Sequence, residues 1–232
     1  MRKEPHQERA RATVEAILEA GARILDRQGW GRFTTNAVAD TAGVSIGSLY
    51  QYFPNKAALV EAILRRHFDD VLTALRKANE HSSRGERIEG LISGVIAAHS
   101  IHPSLHRVLL EDVPRGGISK SVHQKFESEY SNLYTRLIAA SGCSGTNPRS
   151  EVRAQVLSSA IGGVVHDAAR RGTLESFELK QELIHLVDAY LTTFEHPPDT
   201  PKVRTAGAKA RIVEKRTDLP DLQSTHSPLD RR

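Results

Sequence analysis

Apolar residues recur along this chain at spacings of three and four, and no run between turn signals alternates strictly between apolar and polar residues. Such a chain buries a core only by packing helices against helices. Val14, Ile17, Leu18, Gly21, Ala22 and Leu25 form one stripe of a helix that stops near Gln28 and Gly29. A longer helix is predicted from about Asn55. It carries Leu59, Ile63, Phe68, Val71, Leu72 and Leu75 and fades in the polar stretch His81-Ser82-Ser83-Arg84-Gly85. Further helices are predicted at 86–99, 104–111, 119–140, 149–171 and 177–194, punctuated by Gly116-Gly117, by Gly142 through Pro148 and by Gly172-Thr173. The expected fold class is all-α.

The 39% apolar content is low for a globular chain of 232 residues, which implies that part of it does not pack. That part is the end. From Glu195 onward apolar residues are scattered, and Pro197, Pro198, Pro201, Pro220 and Pro228 interrupt the chain. Basic residues (Lys202, Arg204, Lys209, Arg211, Lys215, Arg216, Arg231 and Arg232) outnumber Asp199, Glu214, Asp218, Asp221 and Asp230 there. Residues 196–232 therefore read as a disordered basic tail, and 1–8 as a flexible arm. A net charge of +4 suits a nucleic-acid binder without establishing one. Cys143 is the single cysteine, which excludes an internal disulfide and a multi-cysteine zinc site; in Ser-Gly-Cys-Ser-Gly it has no resolving partner and reads as an inert thiol. The apolar stretches are too short to span a bilayer, and the charged N-terminus lacks a secretory apolar run. A cytoplasmic protein with no membrane partner is expected.

Residues 34–52 read TTNAVADTAGVSIGSLYQY. Thr34 or Thr35 can cap a short helix with Val38, Ala39 and Ala42 on its buried face. Gly43 can take the left-handed conformation at that helix's end, and Ser45 can cap a second helix around Leu49. Two short helices joined by a glycine turn make a helix-turn-helix. The second carries Ser48, Tyr50, Gln51 and Tyr52, poor core material but able to hydrogen-bond in a DNA groove.

At these residues the sequence resembles the tetracycline-repressor (TetR) family of bacterial regulators. The resemblance runs from the first helix at 9–28 through Phe33-Thr34-Thr35, Ala42-Gly43-Val44-Ser45 and Ser48-Leu49-Tyr50-Gln51-Tyr52-Phe53 to Pro54-Asn55-Lys56-Ala57-Ala58-Leu59. It implies a three-helix DNA-binding head at 9–69 on a helical regulatory and dimerisation body at 70–195, assembled as an Ω-shaped homodimer. Thr34, Thr35 and Asn36 are then expected at the DNA backbone. Ser45, Ile46, Gly47, Ser48, Tyr50, Gln51 and Tyr52 are expected at the major groove and its flanking phosphates, and Lys56 at a phosphate. Leu49 and Phe53 match buried positions. The implied partners are a palindromic double-stranded operator, a second copy of the chain and a small-molecule effector that releases the repressor from DNA. Helix faces suggest His99, Leu109, Phe126, Tyr130, Tyr134 and His166 as effector contacts.

The helix at 177–194 is apolar over more than one stripe, and the preceding one carries Gly162-Gly163 mid-helix, where glycine costs about 1 kcal/mol relative to alanine. Close approach of another helix, or a local kink, accounts for such a pair. The expected dimer interface is Gly162, Gly163, Leu183, Val187 and Tyr190. Two rival chemistries have footholds. Gly43-Val44-Ser45-Ile46-Gly47 satisfies G-x-S-x-G, but that motif needs a strand before the serine, and 36–42 reads as helix, so no enzyme is expected. His99, His102 and His106 share a helical face by spacing, although Pro103 interrupts it. With His123, Glu111, Asp112 and His166 they could assemble a zinc or nickel site. Eleven histidines in 232 residues cluster by chance, so neither metal nor cofactor is expected.

Overall fold

The computed structural model describes residues 8–114, 120–140 and 148–195, which form helices joined by short turns and contain no strand. The helices are α1 (Glu8–Gln28), α2 (Thr35–Ala42), α3 (Ile46–Tyr52), α4 (Lys56–Glu80), α5 (Arg84–Ser100), α6 (Leu105–Arg107), α7 (Lys120–Ala139), α8 (Pro148–Arg171) and α9 (Phe177–Glu195). A 3-10 turn at Trp30–Arg32 links α1 to α2, and a π turn at Val108–Asp112 extends α6. Residues 1–7 of the expected N-terminal arm 1–8, the Gly116-Gly117 loop, the loop holding Cys143 and the basic tail lie outside the described residues, while Glu8 opens α1.

Local chemistry sets the boundaries. Thr34, Ser45 and Asn55 accept hydrogen bonds from the N–H groups of Ala37, Ser48 and Ala58 and so cap α2, α3 and α4, each cap contributing about 1 kcal/mol. Gly43 closes α2 at φ 67°, the left-handed region in which a β-carbon is strained. A reciprocal Ser83–Glu86 capping box starts α5 at Arg84, two residues earlier than the apolar pattern implies. Gly94 lets α5 lie against α4, since a β-carbon there would stand 2.7 Å from that of Ala74.

The buried residues form two clusters. One unites Ile17, Leu25, Phe33, Val38, Leu49, Phe53, Leu59 and Phe68 and extends to Leu105, Val108, Leu109 and Val122. The other begins at Val71 and gathers α4, α5, α7, α8 and α9 around Leu91, Tyr134, Leu157, Ile161, Val165 and Val187. α4 crosses from one to the other. Arg76 pairs with Glu129 and Arg84 with Asp188, tying α4 to α7 and α5 to α9.

The stretch 104–111 departs from the predicted regular helix. Only Leu105–Arg107 is α-helical, and the Val113 N–H then reaches back to the Val108 carbonyl, a five-residue step. This wider turn buries Val108 and Leu109 in the N-terminal cluster and leaves Leu110 exposed.

Candidate nucleic-acid interface and effector cavity

α2 and α3 meet across Val38, Ala39 and Leu49, all buried, with Phe33 and Phe53 beneath them. Burial of that face forces the other outward. Thr34, Asn36, Ser45, Ile46, Gly47, Tyr50 and Gln51 are exposed, and Thr35 and Ser48 are half-buried. Tyr50 does not fold inward; its hydroxyl shares a 3.0 Å hydrogen bond with Thr35, bridging the start of α2 to α3. Ser45 and Ser48 hydroxyls stand 2.8 Å apart. Tyr52 packs partly onto the N-terminal cluster, which leaves it at the margin of this surface. A β-carbon on Gly47 would approach nothing closer than Ser45 Oγ at 3.8 Å, so the fold itself does not require glycine there.

Lys56 is half-buried, with its ammonium 3.6 Å from the centre of the Trp30 ring, and burial lowers its pKa. This cation–π seat holds the charge at the first turn of α4. Trp30 escaped the sequence reading because a lone aromatic after a helix end has no periodic signal.

Ser45, the serine of the G-x-S-x-G match, lies between two helices and spends its side chain capping α3. A nucleophile elbow needs a strand there, and the described residues hold none.

A cavity of about 390 Å³ opens between α4, α5, α7 and α8, large enough for a small ligand. Its apolar wall is Phe68, stacked on Phe126 at 3.8 Å, with Tyr130 beyond at 5.1 Å. Of the six expected effector contacts, His99, Phe126, Tyr130 and His166 line it. Leu109 does not: the π turn carries it into the N-terminal cluster, and Leu110 takes its place. Tyr134 does not either, being wholly buried edge-on beneath Tyr130 at 4.9 Å.

The histidines are regrouped as well. α5 ends at Ser100, so His99, His102 and His106 share no helical face. His102 turns to Glu19 of α1, with 3.2 Å between Nε2 and Oε1. Its place is taken by His67 of α4, whose Nε2 lies 2.9 Å from Nδ1 of His106. His67, His99 and His106 are mutual neighbours, and the His166 ring stacks on that of His106 at 4.1 Å. His67 belongs to the apolar-patterned α4, where a histidine reads as one more surface position.

The expected dimer residues divide. Leu183 and Val187 are 2% and 0% exposed within one protomer, because the α9 stripe Leu183, Val187 and Leu191 packs into the chain's own core. They present no surface to a partner. Tyr190 packs partly on the same core. Among the described residues Gly162 and Gly163 have no packing reason, since a β-carbon on Gly163 would meet nothing within 4 Å and one on Gly162 only His166 at 3.9 Å. α8 continues through both glycines, and its outer face carries Val152 and Val156, 58% and 48% exposed.

The fold and the α2–turn–α3 geometry define a helix-turn-helix protein with an appended helical domain. Residues 17–63 match the family description "Bacterial regulatory proteins, tetR family", and residues 85–191 match "Tetracyclin repressor-like, C-terminal domain". The chain belongs to the tetR family of bacterial regulatory proteins. It is 28% identical over 121 residues to the HTH-type transcriptional regulator TtgR of Pseudomonas putida, covering 52% of this chain and 54% of that protein. It is 32% identical over 101 residues to the nucleoid occlusion factor SlmA of a Marinomonas species, covering 43% of this chain and 51% of that one. The chain thus spans about half the length of these relatives. A TetR family regulator from Marinobacter aquaeolei shares the fold at a TM-score of 0.64, with 19% identity over 79% of this chain and 97% of that one. The fatty acid degradation regulator FadR from Bacillus halodurans does so at 0.61, with 17% identity over 76% and 97%. No helix among the described residues is long and apolar enough to cross a membrane.

Proposed function

We propose that the chain is a homodimeric transcriptional repressor that binds a palindromic operator and leaves it when a small molecule occupies the cavity behind Phe126. The observation that carries this reading is the outward face of α2 and α3. The glycine turn and two capped helix starts hold Asn36, Ser45, Ile46, Tyr50 and Gln51 on one exposed surface, with Ser48 half-buried among them. Thr34, Thr35, Asn36 and Tyr50 serve phosphates, where the α2 N-terminus also favours an anion. Ser48 and Gln51 read base edges, with Ile46 and Gly47 allowing close approach and Tyr52 and Lys56 flanking. In this division 9–69 is the DNA-binding head and 70–195 the regulatory body.

The dimer surface is the outer face of α8 and α9, where Val152, Val156, Gly163 and Leu186 stand exposed with nothing of the described chain over them. The effector acts by preferring the conformation that spreads the two heads, so its differential affinity sets how far DNA binding falls. Selection of bound sequences from random duplex DNA tests the reading. A two-fold symmetric consensus, protected by the protein in footprinting, is the expected result, and enrichment of no sequence would contradict it.

A further inference from the structure

We propose that His67, His99 and His106 form a binding site for a divalent transition-metal ion of the zinc, cobalt or nickel type beside this cavity, which His99 and His106 line and His67 does not. The proposal deepens the reading of the cavity as the regulatory site and rests on it. On sequence alone no metal is expected, since eleven histidines in 232 residues cluster by chance; the structure groups His99 and His106 with His67 in place of His102.

Three separate elements, α4, α5 and α6, supply donors that lie within 4.8 Å of one another. Two imidazole nitrogens bound tetrahedrally to one zinc, each at about 2.0–2.1 Å, stand about 3.3 Å apart. Nε2 of His67 and Nδ1 of His106 are already 2.9 Å apart. The widest pair has to close by about 1.5 Å, within reach of side-chain rotation.

His99 is prepared as a ligand. Its Nδ1 lies 2.8 Å from the Val95 carbonyl and donates to it, which leaves the lone pair on Nε2. That Nε2 is buried and has no hydrogen-bond partner among the described residues. A ligating histidine commonly donates its other ring N–H to a carbonyl, which fixes the tautomer and aims the free nitrogen. A buried polar atom without a partner destabilises the fold, so the cluster is not explained as a stabilising device.

Neutral imidazole is the form that binds metal. Burial, with the neighbouring imidazoles adding to it, holds His67 at a pKa of about 3 and His106 at about 2, and burial lowers His99 also. In the empty cluster one proton sits between His67 and His106. On metal binding it moves to the other nitrogen of its own ring, so both lone pairs face the ion and no proton is released. Imidazole-rich sites suit zinc, nickel and copper and not magnesium or calcium. His166, stacked on His106 and 5.1 Å from His99, is the nearest further donor for a fourth position. Occupancy would brace α4, which carries both His67 and Lys56, against α6.

The test is a titration of the full-length, metal-stripped protein with Zn²⁺, and in parallel with Co²⁺ read by its visible absorption, both without DNA. One ion per chain is expected, with a tetrahedral, nitrogen-ligated cobalt spectrum. His99→Ala and His106→Ala are each expected to weaken binding by ~100-fold or more, beyond the loss typical of groups that only orient ligands. His102→Ala is expected to leave it unchanged. Because a variant can fail through misfolding, the wild type is also followed by ring-nitrogen NMR, where Zn²⁺ is expected to shift His99 Nε2 while Nδ1 keeps its proton. Weak binding of several ions, unaffected by either variant, or an unshifted His99, would overturn the site. Operator binding is measured separately, so failure there leaves the titration result standing.

Discussion

The backbone N–H of Ser104 donates to the carboxylate of Asp26 at 2.7 Å, tying the end of α1 to the turn that carries His106. Glu19, two turns earlier on α1, faces both Arg66 of α4 and His102. The wall of the cavity and the N-terminal helix are thus linked at two points. Asp26→Ala is expected to lower stability by about 1.5–3 kcal/mol, the range for a hydrogen bond to a charged group. It is also expected to reduce any change in operator affinity caused by Zn²⁺, while the affinity of the metal-free protein stays near wild type. Urea denaturation and fluorescence anisotropy check the two parts.

Gly47 separates folding from binding. A β-carbon fits there without a clash, and alanine is the better helix former by about 1 kcal/mol. Gly47→Ala is therefore expected to raise the denaturation midpoint slightly and to weaken operator binding at least tenfold through crowding at the groove. Unchanged operator affinity would place Gly47 away from the DNA.

The dimer assignment separates residues of one helix. Leu186 is 44% exposed and Leu183 2%. The pair of substitutions Val156→Arg and Leu186→Arg is expected to give a helical monomer in sedimentation that no longer binds the operator. Leu183→Arg is expected to unfold the chain, since it buries an unpaired charge. A folded monomer from Leu183→Arg would reverse the assignment.

Acid is expected to destabilise the fold through His67 and His106. Their folded pKa values, about 3 and about 2, lie below the unfolded value near 6.5. The unfolded chain therefore binds more protons as pH falls below about 6.5, and stability declines by up to about 1.4 kcal/mol per pH unit for each ring. His99, His102, His166 and Arg66 surround His67 and lower its pKa further. His67→Phe is expected to flatten the decline between pH 6 and 4, as read by thermal melts across that range. An equally steep decline in the variant would assign the effect to other groups.

Much of this was legible in the sequence for a physical reason: helix starts and stops are local chemistry. The Thr34 and Ser45 caps and the Gly43 turn follow from side chains within four residues of their partners. The Ser83–Glu86 box was equally available as a serine followed three residues later by a glutamate. The cavity wall was not. Leu109 and Leu110 are adjacent and both apolar, and only the π turn decides which one faces the cavity. Leu183 and Leu186 lie on an apolar helix whose periodicity cannot say which face another subunit covers. The His67–His106 contact joins residues 39 apart and depends on α5 ending at Ser100.

The central claim is that α3 reads DNA, and Gln51 against Lys56 tests it most directly. Gln51 is exposed and carries the donor–acceptor pair that matches adenine in the major groove, whereas Lys56 has only a charge to offer, seated on Trp30. The measurement is a titration of wild type, Gln51→Ala, Lys56→Ala and Tyr50→Phe against an operator library at several salt concentrations. Gln51→Ala is expected to relax preference at one base pair in each half-site, by about 1–3 kcal/mol. Lys56→Ala is expected to weaken all sequences about equally and to flatten the salt dependence by about one unit per subunit. Tyr50→Phe, which removes the hydroxyl shared with Thr35, is expected to follow Lys56→Ala in direction with a smaller loss. A uniform loss for Gln51→Ala, with base preference unchanged at every position, would contradict the claim that this side chain reads sequence.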